Sequence, residues 1–235
     1  MIIHFKEYTQ DYRHEWKNKK SLHDELTTYY YPRHRLKERE DINYKPTSLH
    51  NYMGVGSKVM NSHLWQQHGK SDIYRGMLNV EPHVDLDSHI KNLDYMINSH
   101  KTPKSMTVWS GTFHDPRELK DKNDMVHHPA YLSTSLLRNT AQNFTTRSLA
   151  PEKYPYDEKG KKIRNHHILK IHVPEGHHGI YASGIGYDDS EQEFILPRGT
   201  KMKYLRTVKK INNNHQYDAI HDHIHHMEVI PDDKS

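Results

Sequence analysis

The chain has 235 residues, no cysteine, 23 histidines and a formal net charge of +4. The missing cysteines exclude disulfides and thiolate metal sites, and no stretch approaches the roughly 20 apolar residues of a membrane span, so no membrane partner is expected. Mean hydropathy is low at −1.05, yet 16 tyrosines and short apolar runs such as HHILKIHVP and EFILP predict a folded core rather than disorder. The mildly basic balance permits an acidic partner, nucleic acid included, but no concentrated basic run demands one. The opening MIIHFKEYTQ is too short and too polar for a secretory signal, so a cytoplasmic protein is expected.

Residues 1–70 read as a helical N-terminal region packed on the core. DYRHEWKNKKSLHDELTTYYY spaces Trp16, Leu22, Leu26 and Tyr29 at helical steps, and Pro32 ends the run. YYYPRHR pairs aromatics with basic residues, as single-strand binders do, although a helix end packing tyrosines on a core is commoner. A second helix is predicted from Ser48 to about Gly69. VDLDSHIKNLDYMINSH (84–100) is the clearest helix, with Leu86, Ile90, Leu93 and Ile97 on one face. Strands then dominate: 106–112, 129–137, 165–174, 179–182, 191–197, 201–211 and 225–231, with a short helix at 138–145. Helices first and strands after imply an α+β fold with an antiparallel or mixed sheet. Residues 150–165, rich in proline and charge, read as an exposed loop.

Three segments carry possible chemistry. In TVWSGTFHDP, Gly111 after Ser110 would let the backbone approach a ligand, or form an ordinary turn. In YLSTSLL, Ser133, Thr134 and Ser135 interrupt an apolar strand; such hydroxyls either satisfy nearby backbone or brace a reacting group. In SEQEFILPRGT, Glu191 and Glu193 stand at i and i+2, so on a strand they share a face while Gln192 points away. Paired carboxylates can stabilise a developing cation or divide into acid and base, and they can equally mark a solvated strand end. HDHIHHME would place His221, His223 and His225 on one strand face, opposite His226. Imidazoles of that kind can bind zinc, but the segment reads better as a terminal strand in a histidine-rich chain, and no metal is expected. No P-loop or dinucleotide fingerprint is present.

The order and wording of these segments resemble the Arg-Ser-Glu class of mono-ADP-ribosyltransferases, most closely the phage Alt/Mod type. DSHIKNLDYMINSHKTPKSMTVWSGT matches that family's helix and first strand, HHPAYLSTSLLRNTAQNF its Ser-Thr-Ser strand and following helix, and DSEQEFILPRGT its Glu-x-Glu loop. The resemblance covers roughly residues 70–231 and sets a catalytic domain at 71–235. It implies an α+β fold in which the helical N-terminal region precedes a split β-sandwich with NAD in the cleft. Glu193 would be the catalytic glutamate, oriented by Ser133, and Glu191 would meet an acceptor arginine. Thr134 and Ser135 would support the cleft, and Phe144 would stack near the nicotinamide. Ser110, followed by Gly111 and Thr112, stands where the family has the arginine that clamps the pyrophosphate. The upstream IYRGM offers Arg75 in that role, with Arg138 or Arg147 as alternatives.

The implied activity is NAD-dependent transfer of ADP-ribose to arginine on a host protein, with nicotinamide released and no metal involved. RNA polymerase or ribosome-associated proteins in the host cytoplasm are the expected targets, reached by expression there or by injection from a virion. Three other readings stay open: a NAD glycohydrolase without acceptor, a nucleic-acid-binding module, and ADP-ribosylation of nucleic acid or from a NAD-capped RNA donor.

Overall fold

The structure is a computed structural model that describes residues 47–69, 86–112, 114–145, 158, 160–183, 189–212 and 218–231. The chain forms two compact units, Met1–Lys45 and Pro46–Ser235, and every described residue belongs to the second. The helix expected around Trp16 to Tyr29, the YYYPRHR patch, Arg75 and Arg147 lie outside the described residues. Among the described residues no helix is long and apolar enough to cross a membrane.

The helix expected from Ser48 is two helices. α1 (Thr47–Asn51) and α2 (Ser57–Gln67) meet at a kinked turn where Gly54 leaves helical geometry, at φ −100° and ψ −141°. α3 (Leu86–Asn98) buries Ile90, Leu93 and Ile97 and exposes Tyr95, as its periodicity predicts. The hydroxyl of buried Tyr131 lies 2.9 Å from Ile90 O and 2.7 Å from Asp94 Oδ1. Arg198, from the LPRGT run, donates Nη2 to the same Asp94 carboxylate at 2.7 Å. That arginine is therefore a clamp on α3.

The strands are β1 (Met106–Thr112), β2 (Met125–His127), β3 (Leu132–Ser135), β4 (Lys162–Val173), β5 (Ile180–Tyr181), β6 (Glu193–Leu196), β7 (Lys201–Asn212) and β8 (Asp218–Val229). Their order is β2-β7-β8-β4-β1-β3-β6-β5. β4 and β8 run parallel and the other neighbours antiparallel. β1 and β4 pair along the full length of β1, from Met106↔Val173 to Thr112↔His167. β1 and β3 share a single register pair, Trp109↔Ser135. The sheet is thus a five-stranded mixed half and a three-stranded antiparallel half, hinged at one point, as the split sandwich requires.

Several strands differ from their expected bounds: β4 starts at Lys162, which corrects the reading of 150–165 as loop throughout, β6 starts at Glu193, and two others differ for local reasons. The segment 129–137 is extended only at Leu132–Ser135, because Ser135 Oγ accepts the Leu137 N–H at 2.8 Å and turns the chain into α4 (Arg138–Thr145). The strand expected at 225–231 starts at Asp218, where the parallel partner β4 supplies a ladder from Lys162 onward. β2 is three residues long, too short to show a period of two.

α4 packs on the five-stranded half through a cluster of Trp109, Ala141, Ile168 and Ile224. A Cβ at Gly111 would stand 2.1 Å from the Ala141 carbonyl oxygen. The close approach that this glycine permits is made by α4, and Gly111 also lines the cavity described below. Gly111→Ala should push α4 off β1 and lower stability by about 1–3 kcal/mol, measured as a drop in the urea midpoint; an unchanged midpoint would refute this packing.

Candidate active site

Past the Trp109↔Ser135 pair, β1 and β3 no longer share a ladder, and a cavity of about 670 Å³ opens at the split. That volume is typical of a small-molecule site. Ser110 is buried beside it, and its hydroxyl donates to Ser133 O at 2.8 Å, tying the two halves together. The serine at the arginine position of the motif is thus used as a strap.

β3 places three hydroxyls on three tasks. Ser135 pairs directly with Glu193 across β3 and β6, and its Oγ donates to Glu191 O at 2.6 Å. Thr134 Oγ1 donates to Phe194 O at 2.5 Å. Ser133 is diagonal to Glu193 in the ladder and hydrogen-bonds its carboxylate. Both readings of Ser-Thr-Ser therefore hold: Thr134 and Ser135 satisfy backbone, and Ser133 braces the acid.

The Ser133 bond has a direction set from behind. Asn61 Nδ2 donates to Tyr52 OH at 3.2 Å, and Tyr52 OH lies 3.0 Å from Ser133 Oγ. With Asn61 donating, the tyrosine passes its proton forward to the serine and the serine to the carboxylate. Burial nevertheless pushes the Glu193 carboxyl up to about 7 from an ordinary 4.5; Ser133 opposes the rise and the charge of Glu191 adds to it.

Glu191 is not on the strand with Glu193. It ends a single turn of 3₁₀-helix, Asp189–Glu191, and Gln192 follows with φ at 46°. The shared strand face expected from the i, i+2 spacing is corrected accordingly. Both acids do line the cavity, brought together by the left-handed residue between them and by the Ser135 bond to the turn.

Thr112 and Phe144 line the cavity as well, with Phe144 38% exposed on α4. Arg138 does not reach it. Its Nη2 pairs with Asp222 at 3.2 Å, and Asp222 is shared with His166 and Gln142. This removes Arg138 as a pyrophosphate cation. Among the described residues, Lys58 of α2 is the one lysine or arginine that lines the cavity.

Sequence reasoning missed Tyr52, Asn61 and Trp65. All three stand in the kinked helical segment, and the buried Trp65 ring meets His114 and His128 edge-on at 5.6 and 5.2 Å. Their convergence depends on the break at Gly54, which periodicity does not show. The buried Asn61 Oδ1 has no hydrogen-bond partner among the described residues. An unmatched acceptor, two carboxylates and a rim phenylalanine make a pocket fitted to a ligand that carries N–H groups, positive charge and an aromatic ring, as NAD does at its nicotinamide end.

Comparisons with known proteins identify the family and the fold. The family described as ADP-ribosyltransferase exoenzyme matches residues 13–225. The fold is similar to Plx2a, an ADP-ribosyltransferase toxin from Paenibacillus larvae, with a TM-score of 0.56 and 16% identity over 91% of this chain and 96% of that one. It is also similar to the enzymatic component C2-I of the C2 toxin from Clostridium botulinum (TM-score 0.54, 15% identity, 79% of this chain and 42% of that chain). Exoenzyme S from Pseudomonas aeruginosa, solved with human 14-3-3 protein beta and carba-NAD, gives a TM-score of 0.52 and 17% identity over 90% of this chain and 88% of its own. No curated protein matches the chain.

The raised Glu193 carboxyl has a consequence for stability. Between 4.5 and about 7 the native state holds a proton that the unfolded state has lost, so stability falls as pH rises through that window. Glu193→Gln removes the burden at constant shape. Its Tm should exceed that of the wild type at a pH well above 7, and the gap should close below 4.5; equal melting at the alkaline end would show that Glu193 is not buried at the split.

Proposed function

Because the chain belongs to the ADP-ribosyltransferase exoenzyme family, we propose that it cleaves NAD at the nicotinamide ribosyl bond and transfers ADP-ribose to an arginine of a host protein. The observation that carries this reading is the Glu193 carboxylate held at the split by Ser133, with Glu191 beside it on a separate turn.

The mechanism follows from those positions. The glycosidic C–N bond breaks, nicotinamide leaves with the bonding pair, and positive charge develops on the ribose. Ionised Glu193, fixed by Ser133, stabilises that charge without reorganising. The cationic nicotinamide ring favours the ionised form before the bond breaks, because an opposite charge nearby lowers a carboxyl. Asn61 Oδ1 can accept the carboxamide N–H, and Phe144 can cover the ring. A guanidinium nitrogen of the acceptor then attacks the ribose and loses a proton, for which Glu191 is the base. A carboxylate also pairs with guanidinium in a bidentate manner, which favours arginine over a neutral acceptor. Lys58 joins Arg75 of the motif as a cation for the pyrophosphate. The Alt/Mod-like wording of the motifs supports a target within a bacterial host, such as RNA polymerase or a translation-associated protein.

The test is incubation with adenylate-labelled NAD and host extract, followed by identification of the modified residue. Label should appear on arginine. Glu193→Ala should lower both transfer and NAD hydrolysis by at least about 100-fold. Glu191→Ala should lose arginine labelling and retain hydrolysis. Transfer persisting in Glu193→Ala would refute the catalytic assignment; label on another residue type would refute arginine as the acceptor.

A further inference from the structure

A second cluster of reactive side chains stands on the sheet face that carries Thr112. The ladder pairs Thr112 with His167, His167 with His223, and Thr207 with His225. His167 Nδ1 is 3.0 Å from His225 Nε2, and the two rings are stacked within 15° of parallel. Asp115, just beyond β1, closes over them, and one ligand atom from each of the three residues lies within 4.8 Å of the others.

The groups behind this trio hold it in place. His225 Nδ1 is 2.7 Å from Thr207 Oγ1, which is itself 2.7 Å from Tyr204 OH. With its Nδ1 proton on Thr207, the lone pair of His225 Nε2 faces His167. Asp115 caps the turn Pro116–Leu119 and accepts the Arg117 Nε–H at 2.9 Å, so its carboxylate is fixed in direction. The Arg117 guanidinium, the nearest positive charge, is already paired with Asp115.

We propose that Asp115, His167 and His225 form a binding site for one divalent transition-metal ion of the zinc class. Imidazole nitrogens bound at about 2.0–2.1 Å to a tetrahedral ion stand roughly 3.3 Å apart, close to the 3.0 Å observed between the two rings. The ion takes the place of the proton that bridges the two rings, and that proton moves to the other nitrogen of His167 or to solvent. Water completes the coordination. This trio differs from the His221, His223 and His225 strand face considered from sequence, since His223 Nε2 is engaged with Asn165 at 3.1 Å. The ion has no part in ADP-ribose transfer. It would pin the segment from His114 to Leu119, which lines one wall of the cavity, to β4 and β8.

Titration of the full chain with Zn²⁺, and with Co²⁺ for its visible ligand-field bands, tests the site. Because the chain has 23 histidines, the variants matter more than binding itself. One saturable ion per chain is expected, with Tm raised. Asp115→Asn, which keeps the cap but weakens the ligand, should lower affinity about tenfold or more, and Thr207→Val should do so through ring orientation. His225→Gln should abolish the Co²⁺ bands, and the exposed His172→Ala should change nothing. No saturable ion, or Asp115→Asn and Thr207→Val binding as the wild type does, would overturn the proposal.

Discussion

A sheet normally satisfies its backbone by continuous pairing, and this one gives up that continuity at a single place. β1 pairs with β4 along its whole length but with β3 at only Trp109↔Ser135. Backbone groups released by such a break need other partners. At the break Ser133 O takes the Ser110 hydroxyl, while the Thr134 and Ser135 hydroxyls hold β6 and the turn before it through Phe194 O and Glu191 O. These small hydroxyl residues fix β3, β6 and the Asp189–Glu191 turn around the cavity, with Glu193 and Glu191 in its lining.

The split also sets the electrostatics. A glutamate at its edge is desolvated by the walls and repelled by Glu191, and only one directed hydrogen-bond chain, Asn61 to Tyr52 to Ser133, favours its charged form. The left-handed Gln192 moves Glu191 off the strand, at a conformational cost of about 1–3 kcal/mol. Strain and a poorly solvated acid at one corner make sense where stability has been traded for reactivity. Both carboxylates line the one cavity, from a strand and from a separate turn.

Much of this was legible in the sequence, and the parts that were not share a cause. α3 followed from the spacing of Ile90, Leu93 and Ile97, a local pattern, and β1 kept its expected bounds of 106–112. The Ser-Thr-Ser segment was visible as a polar interruption of an apolar strand, and Glu-x-Glu as a carboxylate pair at the entry of another. Tyr52 and Asn61 were not, since they reach Ser133 only through the break at Gly54, far away in sequence. That α4 would also pack against Gly111 was not visible, because a sequence does not say which face a helix will cover. The histidine pair His167 and His225 belongs to strands that meet in parallel, so neither HH at 166–167 nor HDHIHHME alone contains it.

The central claim is that an ionised Glu193, held at the split under the influence of Glu191, governs cleavage of NAD. The pH dependence of kcat/KM for nicotinamide release tests it most directly. The account predicts a rate that rises with pH and reaches half its maximum near the value to which Glu193 is pushed, about 7. It also predicts that the midpoint moves down in Glu191→Gln, where the repelling charge is gone. A profile flat across that range, or a midpoint unmoved by Glu191→Gln, would contradict it.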